Sequence, residues 1–176
     1  PQLAMRSVSL GVLILALGAA ARAEARVMEP GMLWLGGSFG PKVTLSTLLG
    51  IDPPQTLNAD FEYTWNENLS TTTTLQAGVF GTRVVALAGG ARYRFSDLQL
   101  AVSPFASAQI ALGYLFSVIG ADLPTAGVKL SAGVDYFFTA RFLFEARLGF
   151  EMSSTFGQRP AMYSGLEILF GAAYAI

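Results

Sequence analysis

The chain has 176 residues, of which 52% are hydrophobic and only 13% are charged, and its formal net charge is −1. Soluble domains carry about 25% charged residues, so this composition indicates a surface that does not face water throughout. A near-zero net charge without clustered Lys and Arg argues against nucleic-acid binding, and the absence of Cys excludes a disulfide framework.

The first element is a candidate export signal. A Met-Arg pair precedes the apolar run SVSLGVLILALGAAA, and small residues follow it, which is the order found in secretory signal peptides. Cleavage after Ala23 or after Ala25 fits equally well. The alternative is a membrane anchor, but the apolar run is shorter than the roughly 20 residues that a spanning helix needs. We therefore expect residues 1–25 to be upstream and signal residues, and residues 26–176 to form one exported domain.

Alternation of apolar and polar residues, the pattern of a strand with one apolar face, recurs along the rest of the chain. In LNADFEYTW the alternation is perfect, and in FLFEARLGFEM one face is apolar while the other carries charge. Eight segments are predicted as strands: Met32–Phe39, Leu57–Trp65, Leu69–Phe80, Val84–Phe95, Leu98–Phe116, Val128–Phe138, Phe142–Met152 and Tyr163–Ile176.

Eight such strands form either a water-soluble barrel or sandwich with the apolar faces inside, or a membrane barrel with those faces outside. The aromatic residues favour the membrane barrel, because they lie on the apolar faces at strand ends that share one side of an up-and-down barrel. Such an aromatic girdle is typical of a membrane interface. The predicted girdle consists of Trp65, Tyr93, Phe95, Tyr136, Phe138, Phe142, Phe144 and Tyr174.

The predicted connections alternate in length, as in outer-membrane barrels with short periplasmic turns and longer outer loops. On the girdle side the sequence predicts tight turns at 66–68, 96–97 and 139–141. On the other side it predicts long loops at Gly40–Gln55, Ser117–Gly127 and Ser153–Met162, with a short connection at 81–83. Pro104 cannot donate to a strand ladder, so we expect a bulge there or a strand that begins near it.

The last strand, LEILFGAAYAI, resembles the assembly signal of bacterial outer-membrane barrels, with Phe170, Tyr174 and a hydrophobic end at Ile176. Those proteins usually close with Phe, so Ile176 is a departure. Together with the candidate signal peptide and eight amphipathic strands, this end makes the chain resemble the small OmpX/OmpW-type barrels and the OmpA-like barrel domain. The resemblance implies an all-β, eight-stranded antiparallel up-and-down transmembrane barrel in the outer membrane. It also implies outer-membrane lipid and the outer-membrane assembly machinery as partners.

In this orientation the polar faces line the lumen of an eight-stranded barrel, which is just wide enough to fill with side chains. The turn at 139–141 sets Lys129 opposite Glu151, a complementary pair. We expect an interior charge network, serving either as a structural plug or as a gated ion path. Its predicted members are Asp60, Glu62, Arg92, Arg94, Lys129, Asp135, Glu145, Arg147, Glu151 and Glu167.

The same register sets Asp135 opposite Glu145, a repulsive pair unless a cation lies between them. Arg147, opposite the space left by Gly133, or Arg92 from a nearer strand supplies that cation. Asp60 and Glu62, two residues apart on one strand, share the interior face, so we expect them to pair with arginines rather than to act as an acid and a base.

The chain has no His, which removes the usual general base and the commonest zinc ligand. Outer-membrane barrel enzymes that act on lipid A resemble this chain in architecture but rely on His. We therefore expect no catalytic residue, metal ligand or cofactor. Two functions remain: a non-catalytic barrel, structural or adhesive, that meets an envelope or surface partner through its long loops, or a narrow channel for ions or small apolar molecules. The apolar loop pieces LSTLLGI and LFSVIGA would line an entrance or contact a partner.

Overall fold

The structure, a computed structural model, describes residues 28–47, 55–80, 83–95, 102–118, 121–156, 160 and 162–176. The candidate signal peptide with both cleavage sites and the predicted turn at 96–97 lie outside these residues. Among the described residues no helix has the length and apolar character needed to cross a membrane.

The described residues form one closed antiparallel barrel, in which every strand pairs with its neighbours in the chain and the last pairs with the first. Closure leaves no free strand edge, so the backbone ladder is satisfied all round. The predicted eight-stranded up-and-down barrel is thereby confirmed. Its strands are β1 (Leu33–Thr47), β2 (Gln55–Thr64), β3 (Leu69–Phe80), β4 (Arg83–Arg94), β5 (Val102–Val118), β6 (Ala121–Thr139), β7 (Phe142–Thr155) and β8 (Met162–Ala175).

The apolar faces of the strands point outward. On β2, Leu57 and Phe61 are 53% and 46% exposed, whereas the adjacent Asn58 and Glu62 are 3% and 6% exposed. A water-soluble barrel would show the reverse, because apolar side chains are driven out of water. An apolar outer wall around a polar interior is the arrangement of a transmembrane barrel, in which lipid surrounds the strands.

The two ends of the barrel differ. One end, here called the turn end, carries the tight turns at 66–68 and 139–141. The Asn66 side-chain oxygen accepts bonds from the backbone N–H groups of Asn68 and Leu69, at 3.0 and 2.9 Å. At the second turn, Arg141 N–H donates to Thr139 Oγ1 over 3.2 Å. The opposite end is here called the loop end.

The prediction of a long loop at Ser117–Gly127 is wrong. Strand β5 continues to Val118 and β6 already begins at Ala121, with Leu115 paired to Leu123 and Val118 to Ala121. The loop was expected from the alternation of short and long connections. Pro124, however, lies near the start of β6, where a strand tolerates a missing N–H donor. The described residues of the apolar piece LFSVIGA therefore belong to strands β5 and β6.

The other two predicted loops are shorter than expected. Strand β1 does not stop at Phe39 but runs through Gly40 and Pro41 to Thr47, and β2 begins at Gln55. A Cβ at position 40 would overlap the carbonyl oxygen of Ile168, so Gly40 permits close approach of β8 rather than marking a loop. Likewise, β7 continues to Thr155 and β8 begins at Met162, and both extend into the predicted loop.

The predicted register of the β6–β7 hairpin is confirmed over most of its length. Lys129 lies opposite Glu151, and Asp135 opposite Glu145. The register shifts only beside the turn, where Thr139 pairs with Phe142. On β5, Pro104 pairs with Val134 in regular register, so no bulge occurs there; the residues before Val102, which would show where the strand begins, lie outside the described residues.

Candidate functional site: the barrel interior

The lumen is filled in layers, and the layer at the turn end is apolar. Met28, Trp34, Leu143 and Ala175 form a buried cluster there. The Trp34 ring packs edge-on against Phe137, with ring centroids 6.1 Å apart. The sequence did not assign Trp34 or Leu143 to the interior. Alternation alone could have done so for Leu143, which shares the face of Glu145.

Above this layer lies the turn-side charge cluster, built around two arginines of β4. The Arg94 guanidinium donates to both carboxylate oxygens of Glu62, to Asp135 Oδ2 over 2.7 Å and to Ser70 Oγ over 3.0 Å. Arg92 Nη1 lies 2.7 Å from Glu145 Oε2 and 3.2 Å from Glu62 Oε2. One strand thus holds carboxylates from β2, β6 and β7, across the lumen.

The third arginine of this cluster comes from β7. Arg147 lies 3.2 Å from Glu145 and 3.5 Å from Asp60, and it donates to Ser38 Oγ over 2.9 Å. Asp60 also accepts bonds from the Ser38 and Thr74 hydroxyls, at 2.8 and 2.7 Å. Its side chain is 21% exposed, more than that of any other carboxylate in the described ion pairs.

The repulsive Asp135–Glu145 pair is compensated by more cations than the sequence suggested. Both candidate arginines contribute, since Arg92 lies near both carboxylates and Arg147 contacts Glu145. The nearest cation to Asp135 is a third one, Arg94, at 2.7 Å. Three guanidinium groups thus face four carboxylates, and the excess negative charge is small.

The loop-side charge cluster lies further along the lumen. Glu151 Oε2 is 2.6 Å from Lys42 Nζ and 3.3 Å from Lys129 Nζ, and Lys129 Nζ is 3.8 Å from Glu167 Oε2. Lys129 also donates to the Gln76 side-chain oxygen on β3. Lys42 is an interior charge that the sequence missed, because β1 was predicted to end at Phe39.

The loop-side cluster is covered by a second apolar layer at the loop end. Val84, Leu115 and Tyr163 are buried against one another, and Leu123 packs on them. The Tyr163 hydroxyl donates to Glu151 Oε1 over 2.9 Å, which ties the layer to the charges beneath it. Both charge clusters therefore lie between apolar layers, where desolvated charges need partners.

One small cavity lies inside the described part of the barrel. A cavity of about 30 Å³ beside the turn-side cluster is lined by Trp34, Asp60, Glu62, Arg92 and Glu145, among others. This volume holds about two water molecules. Trp34 Nε1 is buried and has no hydrogen-bond partner in the part of the chain that the structure describes; since Trp34 lines the cavity, water there would satisfy it.

All the predicted girdle residues lie on the outer wall at the turn end. Trp65, Phe138 and Tyr174 are 58%, 61% and 51% exposed, whereas Tyr136 and Phe142 are half-buried by their neighbours. Neighbouring rings meet edge to face, for example Tyr93 and Phe95 with centroids 5.2 Å apart. Further exposed aromatic side chains, which the sequence reading left out, lie toward the loop end: Tyr114, Phe116 and Phe156.

The residues of the predicted assembly signal share the outer wall. Phe170, Tyr174 and Ile176 are 55%, 51% and 69% exposed, and Ile176 N–H donates to the Leu33 carbonyl, which joins the chain end to β1. Their recognition by the assembly machinery stays a prediction.

The fold is similar to solved outer-membrane proteins. Neisserial surface protein A matches with a TM-score of 0.62 and 17% identity over 81% of this chain and 95% of that chain. The outer membrane protein AlkL matches with a TM-score of 0.53 and 12% identity, over 88% of this chain and 94% of that chain. OprG from Pseudomonas aeruginosa matches with a TM-score of 0.52 and 13% identity, over 84% of this chain and 97% of that chain.

The fold is that of a small outer-membrane β-barrel. The expected resemblance of architecture is thereby confirmed. At these identities the likeness concerns the fold alone, since one barrel architecture hosts many functions. No protein-family model matches the chain, and no curated protein matches it.

Proposed function

We propose that the chain is a non-catalytic β-barrel protein of the bacterial outer membrane, closed inside by its own side chains, with a structural or adhesive role. The observation that carries the proposal is the bridging of the lumen by ion pairs. Arg94 of β4 joins Glu62 of β2 to Asp135 of β6, and Arg147 of β7 reaches Asp60 of β2. Buried pairs of this kind are costly to break, because either partner alone is a desolvated charge.

The charge balance of the interior supports closure over selective conduction. Ion-selective pores present rings of one sign to the permeating ion. Here both clusters mix signs, with two lysines facing two glutamates in the loop-side cluster. A permeating ion of either sign would meet a cation and an anion at almost the same level and would have to break their pairing.

The outer-membrane location is part of this proposal. The apolar outer wall requires lipid, and the candidate signal peptide at residues 1–25 supplies the export route. The alternating residues Phe170, Tyr174 and Ile176 would be read by the outer-membrane assembly machinery. Outer-membrane lipid is the immediate partner of the wall.

The outward face would be presented by the β5–β6 hairpin rather than by long loops. Strand β5 has 17 residues and β6 has 19. At about 3.3 Å per residue and a tilt of about 40°, 17 residues span roughly 40 Å, which exceeds the roughly 25 Å apolar band of such barrels. This hairpin would therefore extend beyond the apolar band and offer a strand-paired surface to an envelope or surface partner.

A narrow channel for ions or small apolar molecules is the second candidate function. Two buried polar atoms in the lumen support it, because they have no hydrogen-bond partner among the described residues and water would satisfy them: Asn58 Oδ1 and Gln76 Nε2. A continuous file of such water molecules would connect the two clusters and carry ions slowly.

Planar-bilayer recording separates the two functions. A closed interior predicts no steady conductance from barrels whose heat-modifiable migration shows that they are folded. A steady, ion-selective current would replace the closed barrel with the channel. Uptake of a small fluorescent apolar dye into vesicles, with and without the barrel, tests the apolar route in the same way. Fractionation with outer membranes checks location, and recovery of a soluble monomer without detergent would contradict the membrane barrel itself.

A further inference from the structure

A groove of about 320 Å³ opens on the outer wall at the turn end, along the seam where β7, β8 and β1 meet. The strand ladder sets Gly37 beside Ala172, so two small residues on adjacent strands form its floor. Phe142 and Tyr174, paired across β7 and β8, lie at the end of the groove nearest the turns. The groove is lined by Leu35, Gly36, Gly37, Phe142, Ala172, Ala173 and Tyr174.

The space above the floor is not needed by the fold. A Cβ added at Gly37 would meet only the Asn58 carbonyl oxygen, at 3.4 Å, which is close to ordinary van der Waals contact. No other strand packs over it, because the barrel is closed and this face is external. Within a bilayer such a groove is filled by hydrocarbon, since an apolar recess attracts no water.

A basic residue lies next to the turn end of the groove along the chain. Arg141 is exposed, directly precedes Phe142, and its carbonyl accepts a 2.8 Å bond from the backbone N–H of Ala175, the residue after Tyr174. Among the described residues, the basic side chains that do not point into the lumen are Arg141 at the turn end and Arg83 at the start of β4, at the loop end. A guanidinium at the level of an aromatic girdle is placed to bind a lipid phosphate.

We propose that this groove is a binding site for one glycerophospholipid of the leaflet at the turn end, with an acyl chain over Gly37 and Ala172 and the phosphate on Arg141. The inference rests on the membrane placement in the proposed function, but not on whether the lumen conducts. An apolar recess beside one positive charge matches a lipid, which carries its acyl chain and its phosphate in one molecule; a second copy of the chain is the alternative that the experiment tests.

Native mass spectrometry of the folded barrel in detergent, with palmitoyl-oleoyl phosphatidylglycerol added as the probe, tests this site. We expect one lipid to be retained by the wild type. Gly37→Phe should reduce retention roughly tenfold, because the ring takes the space and the packing contacts of the chain. Arg141→Gln should reduce it roughly fivefold, the effect of one basic side chain near an anionic headgroup.

Two matched controls separate a site from general lipid contact. Gly89→Phe adds the same ring to another outward-facing strand glycine, around which an added Cβ would meet nothing within 4 Å. Arg83→Gln removes the exposed charge of the loop end. Both should retain lipid as the wild type does.

Absence of a retained lipid on the wild type, or equal losses in both control variants, overturns the inference. A dimer that Gly37→Phe abolishes would overturn it as well and assign the groove to a second copy. Heat-modifiable migration and insertion into vesicles are read on every variant. If the wild type inserts but retains no lipid, the site is wrong while the membrane barrel stands.

Discussion

Lys42 Nζ lies 2.6 Å from Glu151 Oε2, closer than Lys129 Nζ at 3.3 Å, although Lys129 is the direct ladder partner of Glu151. Lys42 reaches over the intervening strand β8 at Gly165, where an added Cβ would lie 3.1 Å from Lys42 Cε. Glu151 is therefore the shared anion of two lysines, and the cluster is a network of at least three strands rather than one hairpin pair.

Because Lys42 and Lys129 share Glu151, substitutions at these positions should differ in how much they lower the unfolding free energy. Glu151→Gln removes the anion that the two buried lysines share and leaves Glu167 near Lys129, so we expect it to cost about 3 to 5 kcal/mol of unfolding free energy. Lys129→Met should cost less, because Glu151 keeps Lys42 and its hydroxyl donors. The double variant Lys129→Met/Glu151→Gln should recover part of the loss of Glu151→Gln. Urea unfolding of all three in the same lipid measures this order.

Simple addition of the two single effects in the double variant would show that the lysines and Glu151 are not coupled in the folded barrel. A water-filled lumen would produce that result, since solvated pairs are worth only about 0 to 1 kcal/mol.

Sequence alternation predicted the register of the β6–β7 hairpin but not the contact of Lys42 with Glu151. Period two decides which face a residue joins, so Lys129 opposite Glu151 followed from the turn position alone. Lys42 follows Gly40 and Pro41, two residues that normally interrupt strands. Here β1 has neighbours on both sides, β2 and β8, and their ladders hold it extended through the interruption. Tertiary pairing, which one sequence does not display, outweighed the local signal.

Gly40 has a steric role that can be tested directly. A Cβ there would overlap the Ile168 carbonyl oxygen, which is backbone and has no freedom to move away, so Gly40→Ala should destabilise the barrel by about 1 to 3 kcal/mol. Gly89→Ala, where an added Cβ meets nothing within 4 Å, should instead be neutral or stabilise by about 0.4 to 1 kcal/mol. Urea midpoints compare the two. Equal effects would mean that β1 and β8 are not in close contact at position 40.

The apolar residues inside the barrel mark the limit of the alternation rule. Alternation assigns each residue to a face, and it places Leu143 with Glu145, but it does not show that Trp34, Leu115 and Leu143, which are 2%, 3% and 2% exposed, gather into apolar layers inside. These residues lie near the two ends of the lumen, where the apolar layers cover the charge clusters. Local patterning cannot reveal such a layer, because its members come from distant strands and meet only after closure.

The lipid face can be tested with a single charge. Ile110 lies midway along β5 and is 67% exposed, so in a water-soluble protein Ile110→Arg would be harmless. On a lipid-facing wall near the midplane it should cost about 2 to 4 kcal/mol and lower the folded fraction after refolding into vesicles. Glu67→Arg, in the exposed turn at the turn end, is the matched control and should refold normally. If both variants refold equally well, the outer wall does not face hydrocarbon.

The chain has two tryptophans, and the barrel places them on opposite sides of its wall. Trp65 is 58% exposed on the girdle, with Nε1 donating to Thr71 Oγ1 over 2.6 Å, whereas Trp34 is 2% exposed inside the turn-end layer. In the Trp34→Phe variant, the remaining Trp65 fluorescence should be quenched by brominated phosphatidylcholine. In Trp65→Phe, the remaining Trp34 should resist both brominated lipid and aqueous acrylamide, because Met28, Leu143 and Ala175 pack around it and the cavity beside it holds only about two water molecules. Acrylamide quenching of both variants in urea is the control for accessibility. Quenching of Trp34 by brominated lipid would show that the assigned inner and outer faces of β1 are reversed. Quenching of Trp34 by acrylamide in the folded barrel would show that water enters the lumen from the turn end. That result would favour the channel over the closed barrel.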